Sequence, residues 1–375
     1  MTLRSEPARP RLERISLKGF KTIRDLSGFE PGDLTLLIGP NGAGKSNFIS
    51  FFRMLSWSLV PPGQLQLFVA EQGGAGALLF KGPRVSREIE AELVLTTGKG
   101  RNVYDFRLVA AAGDTLVFAE ENFRFRAHGI KDRPAPGTGA GHRESQLIRM
   151  AEDGNATARR ILSMLRRIIV HQFHDTSATA RIRGKWSRQD NRYLKEDGAN
   201  LAPFLLRLQT RAPGHYRRIV ETIRLILPHF ATFELDPDDD YLLLRWLESA
   251  NDQVFSAAQA SDGMLRAMAL VALLQQPDED LPDVLILDEP ELGLHPYAIE
   301  VLASLIRSAS RRVQVIVATQ SVSLIDRFEP HDVVVVSRSD DGTTLARLDD
   351  ATLEEWLQSY TLSELWEKNI LGGRP

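Results

Sequence analysis

The sequence predicts an α/β fold in which a parallel sheet carries a glycine-rich loop and an antiparallel meander is attached. Over residues 261–336, helix-like and strand-like patterns alternate, as is typical of parallel sheets. The apolar run Leu34–Ile38 has the character of a buried parallel strand, and it leads directly into the glycine-rich segment that begins at Gly39. Three β-rich runs, 89–96, 103–110 and 115–125, are separated by glycine turns, which indicates antiparallel pairing.

The remaining elements follow from local patterns in chain order. Ala212-Pro213-Gly214 is a helix-breaking sequence, so residues 200–227 are predicted to form two helices rather than one. The predicted elements are a strand from Leu12 to about Gly19, a helix beginning near Phe48, a helix at 144–167, a strand at 168–174, helices at 261–276, 296–310 and 321–327, strands at 284–288, 313–318 and 332–336, and a helical segment at 353–371.

The expected organisation is a flexible tail at 1–11 followed by a chain whose length predicts two or three lobes. The tail is expected because its first residues are rich in Pro and Arg and lack an apolar core.

The composition excludes several classes of protein. The 375-residue chain has no cysteine, which excludes disulfide scaffolds, thiol catalysis and cysteine-based metal sites. Its longest apolar run, Met264–Leu274, is too short to span a bilayer and contains Arg266. With 43% hydrophobic and 25% charged residues it is typical of globular chains, and we predict a cytoplasmic protein without membrane contact.

The glycine-rich loop has the full spacing of a phosphate-binding loop. Gly39-Pro40-Asn41-Gly42-Ala43-Gly44-Lys45-Ser46 follows a predicted strand and precedes a predicted helix, the context that this motif requires. Its glycines allow backbone N–H groups to turn toward phosphates, and the helix N-terminus adds positive potential. Lys45 is expected to reach the β- and γ-phosphates and Ser46 to bind Mg²⁺, with Asn47 adjoining them in the nucleotide site.

A second motif supplies acidic residues. Asp288 follows the apolar strand 284–287 at its carboxyl end, where ligands of parallel sheets bind. We predict that Asp288 holds Mg²⁺ and that the adjacent Glu289 polarises the water that attacks ATP. A core strand capped by two surface acids is the alternative explanation.

A third motif is a second anion site. Ser261-Asp262-Gly263 begins a predicted helix, and Ser261 is a good N-cap residue. One nucleotide in one subunit has little use for two phosphate-binding helix starts, so we expect Ser261 of one subunit to close over the nucleotide of another. An ordinary capped helix remains the alternative.

These motifs, in this order and together with Thr319-Gln320-Ser321, resemble ABC-type ATPases of the RecF/SMC/OLD kind. The segments at 19–22, 173–177, 289–296 and 371–373 are similar to bacterial RecF-like "AAA family ATPase" proteins. The resemblance covers about 12–375 and implies a single two-lobed P-loop NTPase head of the ABC-ATPase type. Lobe I would cover about 12–170 and contain the meander. Lobe II would cover about 171–375, with a helical insertion at about 190–275 before the signature motif. The resemblance also implies an ATP-sandwiched homodimer, often acting on DNA, that uses ATP and Mg²⁺.

The sequence departs from the ABC pattern in two motifs. The first is the Leu-Ser-Gly-Gly-Gln signature, which appears here as Ala260-Ser261-Asp262-Gly263-Met264, a form also seen among RecF-like proteins. The usual switch histidine is Gln320 here, which can hydrogen-bond the γ-phosphate or water but cannot act as a base. Glu289 is therefore the expected base, with Lys45 and Gln320 as further catalytic residues, and slow turnover is predicted. Gln172 is our candidate for the glutamine that contacts Mg²⁺, although a structural role explains it equally well. His171, His174 and His295 match no metal-ligand spacing and are interpreted as structural or motif-packing residues.

Charge separates along the chain and suggests a polyanion partner. Residues 159–224 contain 15 Lys/Arg against 5 Asp/Glu, whereas 225–300 contain 2 against 16. Segment 181–192 is a possible double-stranded DNA contact, and a basic rim facing a partner subunit is the alternative. Its cationic residues are Arg181, Arg183, Lys185, Arg188 and Arg192.

The function predicted from these observations is a slow Mg²⁺-dependent ATP hydrolase in DNA repair or genome maintenance. The alternative is a regulatory ATPase of an antiphage-defence or toxin-type system that controls a separate effector. No nuclease constellation is visible in the sequence, so any DNA cleavage would require a partner. A transporter subunit is disfavoured by the long insertion, and a GTPase by the lack of an Asn-Lys-x-Asp motif.

Overall fold

The structure is a computed structural model and describes residues 9–61, 63–127, 138–236, 240–249 and 251–373. The expected tail at 1–11 lies largely outside the described residues. The strands are β1 (Arg11–Phe20), β2 (Ile23–Phe29), β3 (Leu34–Ile38), β4 (Glu88–Thr97), β5 (Gly100–Ala111), β6 (Thr115–Ala127), β7 (Ile168–His171), β8 (Trp186–Ser187), β9 (Phe230–Glu234), β10 (Tyr241–Leu242), β11 (Arg245–Glu248), β12 (Asn251–Ser256), β13 (Val284–Asp288), β14 (Gln314–Thr319), β15 (Val333–Ser339) and β16 (Gly342–Arg347).

The α-helices are mostly short, and the longest of them follow the predicted motifs. They are α1 (Lys45–Ser58), α2 (Leu65–Glu71), α3 (Ala75–Leu78), α4 (Leu147–Glu152), α5 (Ala156–Leu165), α6 (Leu201–Arg211), α7 (Pro213–Ile226), α8 (Asp262–Leu274), α9 (Pro296–Ser310), α10 (Val322–Ile325), α11 (Asp350–Leu357) and α12 (Leu362–Glu367). No helix in the described ranges is both long enough and apolar enough to cross a membrane.

The chain forms two compact units. The first unit contains residues 1–169 and 330–375, and the second contains residues 170–329. The sequence analysis places 330–375 in the second lobe, whereas these residues pack within the first unit. The reason is strand pairing, because β15 lies parallel to β3 and β16 forms a hairpin with β15.

The first unit is built on a five-stranded antiparallel sheet in the order β2-β1-β4-β5-β6. The predicted meander is confirmed as β4, β5 and β6, and β1 joins it with Ile15 opposite Leu93. Apolar residues alternate along these strands, so one face of the sheet is buried. Helix α1 packs on this face through Phe51, whose ring lies 5.9 Å from Phe20 and stacks 6.4 Å from Phe106.

The second unit contains the predicted alternation of helices and parallel strands. Strands β13 and β14 pair in parallel, with Leu285 opposite Val315 and Asp288 opposite Ala318. Every residue of both strands is buried, which explains the apolar runs Val284–Leu287 and Val315–Ala318 within them. Helix α9 connects them, and the buried helix α8 precedes them.

The insertion is less helical than the sequence predicts. Helices α6 and α7 form as expected, but residues 230–256 fold into a three-stranded antiparallel sheet in the order β12-β11-β9. Its core is aromatic: Trp246 is buried and stacks 5.9 Å from Phe255, and Phe230 lies 4.8 Å from Phe233. These strands have six residues or fewer, too few for their alternation to identify them by sequence alone.

Two predicted helices are each divided in the structure. The helix expected at 144–167 breaks at Gly154, which has φ 97°, and Asn155 then caps α5 by accepting a hydrogen bond from the Ala158 N–H at 3.0 Å. The helical segment expected at 353–371 consists of α11 and α12, because Thr361 begins a new helix with a capping box. The strand expected at 168–174 ends at His171.

Candidate functional site

The phosphate-binding loop in the first unit lies where the sequence predicts, between β3 and α1. Helix α1 begins at Lys45; its N-cap residue, Gly44, makes no side-chain hydrogen bond, and its first turn contains no acidic residue. The N–H groups and the positive end of this 14-residue helix are therefore available to an anion. A Cβ atom on Gly39 would lie 2.2 Å from the Val336 carbonyl oxygen, so only glycine permits this close approach.

Lys45 is held inside its own loop. Its side chain is buried, and Nζ donates hydrogen bonds to the carbonyl oxygens of Gly39 at 2.5 Å and Pro40 at 3.2 Å. These carbonyls keep the ammonium group beside the loop glycines, where a phosphate would meet it. Ser46, the predicted Mg²⁺ ligand in this loop, has an exposed side chain.

Two threonines that the sequence analysis missed support the loop. Thr343 Oγ1 donates to the Ala43 carbonyl at 2.9 Å and lies 2.8 Å from Thr22 Oγ1. The amide of Asn47, predicted to adjoin the nucleotide, donates to Thr22 Oγ1 at 2.8 Å. The Arg338 guanidinium also approaches the loop and donates to the Gly42 carbonyl at 3.3 Å. No local motif marks these residues, since β15 and β16 bring two of them from far along the chain.

The second unit brings Gln172 and Asp288 together. Gln172 Nε2 donates to Asp288 Oδ2 at 3.2 Å and lies 2.9 Å from His174 Nδ1. His174 Nε2 lies 3.0 Å from the Asp288 carbonyl oxygen. One protonation pattern satisfies all three contacts, because neutral His174 with a proton on Nε2 donates to that carbonyl and accepts from the Gln172 amide.

His174 therefore belongs to the acidic cluster, which agrees with its interpretation as a structural or motif-packing residue. A sequence signal was available: Gln172 and His174 are two residues apart just after β7, a spacing that places side chains on one face of an extended segment. His171 behaves as predicted, being buried, and burial lowers the pKa of its imidazole to about 4.

Glu289 has an unusual backbone conformation. Its φ is +43°, which is rare for a residue with a side chain and is held by a 2.8 Å hydrogen bond from its N–H to the Ala318 carbonyl. Gln320 Nε2 donates to Glu289 Oε1, and His174 Nε2 lies 4.0 Å from Oε2. The carboxylate is partly exposed, so it is oriented by the protein and accessible to water.

A second glutamate beneath this cluster was missed by the sequence analysis. Glu291 is buried and accepts a hydrogen bond from the Thr319 hydroxyl. Burial is the main cause that raises the pKa of the Glu291 carboxyl, while the hydrogen bond from Thr319 opposes the increase.

The Ser261-Asp262-Gly263 segment begins helix α8 as predicted. Ser261 is exposed, and its Oγ accepts a hydrogen bond from the Met264 N–H at 3.3 Å. A Cβ atom on Gly263 would lie 2.4 Å from the Gly293 carbonyl oxygen, so the start of α8 is packed directly against backbone. Asp262 accepts a hydrogen bond from Arg183 at 3.0 Å.

Arg183 is not a surface cation, contrary to its place in the predicted DNA segment. Its side chain is 11% exposed and donates to the carbonyls of Thr176, Ala257 and Ala260 as well as to Asp262. These acceptors already occupy the Arg183 guanidinium, so a DNA phosphate could bind it only by displacing one of them. Arg183 therefore supports the start of α8.

Other cations of this segment are also engaged. Arg181 pairs with Asp197 at 2.8 Å and stacks 4.7 Å from the Trp186 ring, which Lys195 approaches at 5.3 Å. Arg188 and Arg192 are exposed and make no ion pair with the described part of the chain. The surface that could meet a polyanion is accordingly smaller than the sequence suggests.

Each unit, taken by itself, contains residues of the type that ATP and Mg²⁺ require. In the first unit, the loop at 39–46 has glycines and a lysine suited to phosphates. In the second unit, Asp288 and Gln172 have side-chain oxygens of the kind that bind Mg²⁺. No group of three His, Asp or Glu side chains in the described ranges could hold a metal by itself. Mg²⁺ normally takes only one or two protein ligands and completes its shell with water and phosphate, so this sparse set suits it.

A scan against protein-family models matches residues 34–326 to the AAA_21 family, described as "AAA domain, putative AbiEii toxin, Type IV TA system". The chain belongs to this family. The match covers the phosphate-binding loop, the acidic cluster and the start of α8. No functionally curated protein matches the chain.

Solved structures of SMC head domains share the fold. One is an SMC head bound to the C-winged helix domain of ScpA, with a TM-score of 0.61 and 16% identity over 92% of this chain and 99% of that chain. Another is an SMC head with an extended coiled coil from Pyrococcus furiosus, bound to the C-terminal domain of ScpA, with a TM-score of 0.56 and 14% identity over 93% and 99%. This AAA_21 chain is thus an SMC/RecF-like ABC-type ATPase in fold, as predicted.

Proposed function

We propose that the chain hydrolyses ATP slowly with Mg²⁺ and that it closes as a homodimer around the nucleotide. The observation that carries the proposal is the pairing of Glu289 with Gln320 beside Asp288. A carboxylate held next to a metal-ligand candidate, yet open to water, is what a hydrolytic base requires. The phosphate-binding loop with Lys45 would hold the triphosphate.

The chain's own residues would act by orientation and proton transfer. Glu289 accepts the proton of the attacking water, and Gln320 holds the carboxylate in the direction that this transfer needs. Gln320 cannot itself take a proton near neutral pH, so a single base operates and turnover is slow. Mg²⁺, when held by Ser46, Asp288 and Gln172, would neutralise charge on the phosphates.

The homodimer is proposed from the exposed start of α8. Ser261 and Gly263 lie at the N-terminus of a 13-residue helix, with its positive end toward solvent. In the proposed dimer, this end contacts the γ-phosphate of the nucleotide bound by the partner subunit, together with Asp262. ATP would then link the two subunits, and hydrolysis would release them.

The test combines two variants. Glu289→Gln should bind ATP, hydrolyse it at least about a hundredfold more slowly and remain dimeric by light scattering, because only the proton acceptor is lost. Lys45→Ala should lose nucleotide affinity and stay monomeric. A Glu289→Gln protein that is monomeric with ATP would disprove the sandwich, and tight ATP binding by Lys45→Ala would remove the role of the loop.

Two biological settings remain for this ATPase. An action on double-stranded DNA in repair or genome maintenance is supported by the basic segment, particularly by Arg188 and Arg192. Control of a separate effector in an antiphage-defence or toxin-type system is supported by the family description, which refers to a putative toxin. The SMC head that is bound to ScpA also suggests a protein partner by analogy.

Measuring the steady-state ATPase rate at low salt with and without duplex DNA separates these settings. Stimulation by DNA that Glu289→Gln abolishes would support a DNA-acting machine. A rate that is indifferent to DNA would favour a switch controlled by a protein partner, such as an effector or nuclease.

A further inference from the structure

Arg266 is a buried cation that lies one turn into α8. It is 9% exposed, and no carboxylate in the described part of the chain lies within ion-pair distance of its guanidinium. Burying an unpaired charge is costly, and a hydrophobic residue of similar volume would pack here without that cost. The position of Arg266 therefore points to a role that depends on its hydrogen bonds.

Those hydrogen bonds join three segments of the second unit. Nε donates to the Phe173 carbonyl at 2.8 Å, and Nη2 donates to the His174 carbonyl at 2.8 Å and lies 3.3 Å from Thr176 Oγ1. Nη1 donates to the Leu292 carbonyl at 2.9 Å. One planar group thus fixes α8 to the segment after Gln172 and to the loop after Glu289.

The acceptors adjoin the hydrolytic residues. Phe173 and His174 directly follow Gln172, and the His174 ring contacts the carbonyl of Asp288. Leu292 lies three residues after Glu289, in the loop whose Gly293 carbonyl packs against Gly263. A shift of α8 relative to these carbonyls would therefore move both Gln172 and Glu289.

Arg183 reinforces the same connection. It donates to the Thr176 carbonyl at 2.9 Å and to the Ala260 carbonyl at 3.1 Å, which immediately precedes Ser261. The two arginines thus attach segment 173–176 to the start of α8 from both sides. Neither contact involves the nucleotide itself.

We propose that Arg266 is a positioning residue that couples the start of α8, and so Ser261, to the Gln172–Asp288–Glu289 cluster of the same subunit. This coupling rests on the proposed ATP-sandwiched dimer, in which Ser261 touches the partner's nucleotide. Closure of α8 on one nucleotide then aligns the hydrolytic residues that serve the other. The two nucleotide sites of the dimer consequently hydrolyse ATP cooperatively rather than independently.

The test compares Arg266→Lys with Arg312→Lys. Lysine keeps the charge but lacks the planar fork that reaches several carbonyls at once. Arg312 is a matched control, because it donates to the carbonyls of Leu274 and Gln276 at the opposite end of α8. For each protein we would measure thermal stability, the affinity for a fluorescent ATP analogue, and kcat, KM and the Hill coefficient for ATP.

Arg266→Lys is expected to lower kcat by about tenfold to a hundredfold, because small misplacements of catalytic groups have effects of that size. Its Hill coefficient should fall to about 1, while affinity for the analogue stays within about twofold of wild type, since the phosphate-binding loop is untouched. Arg312→Lys should retain kcat and the Hill coefficient. Folded Arg266→Lys protein with wild-type kcat and Hill coefficient would overturn the proposal, as would an equal loss in Arg312→Lys.

A milder variant covers the case in which Arg266→Lys does not fold. Thr176→Val removes only the hydroxyl acceptor of Arg266, and we expect kcat to fall by about two- to fivefold at constant analogue affinity. Unchanged kcat in this variant would also overturn the proposal. Failure of the proposed function itself is recognised separately, as wild-type protein without ATP hydrolysis or Glu289→Gln protein without an ATP-dependent dimer.

Discussion

At the scale of single residues, the acidic cluster combines a constrained backbone with adaptable side chains. Glu289 has a left-handed φ of +43°, and Gln320 donates a hydrogen bond to one of its carboxylate oxygens. Such strained residues persist where surrounding contacts fix them, and they are enriched at functional sites. The orientation of Glu289 therefore depends on a neighbour that is not itself a base.

This dependence predicts the behaviour of Gln320→Ala. Without the amide, Glu289 samples more orientations, and we expect kcat to fall by about tenfold to a hundredfold with KM little changed. Gln275→Ala is a suitable control, because the side-chain amide of Gln275 donates to Thr222 in the same unit, and its backbone contacts with Val271 and His215 do not depend on the side chain. Equal kcat for Gln320→Ala and wild type in steady-state assays would show that the contact is incidental.

The buried Glu291 predicts a pH dependence of stability. Since burial raises the pKa of this carboxyl above its ordinary value of 4.5, the folded protein binds the proton more tightly than the unfolded chain. The resulting stabilisation is complete below that ordinary value and is lost as the pH rises through the folded-state pKa.

Glu291→Gln cannot lose a proton at this position. In urea unfolding, its free energy of unfolding relative to wild type should therefore increase as the pH rises from about 4 toward 7. A difference that is constant across this range would contradict the raised pKa.

Individual residues also show which parts of the candidate site can be predicted from the sequence. Motif spacing predicts site roles for Lys45, Asp288, Glu289 and Ser261, because each follows a local strand or precedes a local helix. It could not identify Thr343, Arg266 or the contact of Asn47 with Thr22, which arise from distant segments that only the fold brings together.

At the scale of elements, the start of α8 is defined by backbone packing as much as by its cap. Gly263 is the second residue of α8, and its missing side chain allows contact with the Gly293 carbonyl. The helix start and the loop after Glu289 are consequently in direct contact.

Gly263→Ala should move the start of α8 away from the loop that follows Glu289. A Cβ atom 2.4 Å from a carbonyl oxygen forces the helix or the loop to move, so we expect ATP-dependent dimerisation to weaken by about tenfold or more. Gly214→Ala is the matched control, because Gly214 is the second residue of α7 and has open space around it. Light scattering with ATP compares them, and equal dimerisation by both variants would contradict this account.

Elements differed in how well the sequence predicted them. Buried parallel strands such as β3 and β13 were predicted correctly because four of the five residues in each are apolar. The sheet at 230–256 was missed because its strands are short, and the helix at 144–167 was overextended because the break at Gly154 was not recognised.

At the scale of the whole molecule, charge separation along the sequence overstates the surface available to nucleic acid. The surplus of 15 Lys/Arg over 5 Asp/Glu at 159–224 includes Arg183, which is buried, and Arg181, which is paired. A count of residues cannot distinguish cations that support the fold from those that face solvent, since this depends on tertiary contacts.

We therefore expect any duplex binding to depend on exposed cations. Arg188→Ala combined with Arg192→Ala should weaken binding and reduce the slope of log affinity against log salt by about 2, because two phosphate contacts are lost. Fluorescence anisotropy over a salt series measures both quantities. Gln189→Ala is a neutral control from the same segment, and an unchanged slope in the double variant would exclude these arginines from the interface.

The parallel pairing of β3 with β15 has a consequence for biosynthesis. The glycine loop leaves the ribosome early, yet Val336, which packs on Gly39, and Thr343, which holds Ala43, are translated only after most of the chain. Nascent polypeptides that lack this late hairpin would therefore hold an incomplete nucleotide cradle. The phosphate-binding loop is therefore expected to reach its final packing only after translation has passed Thr343.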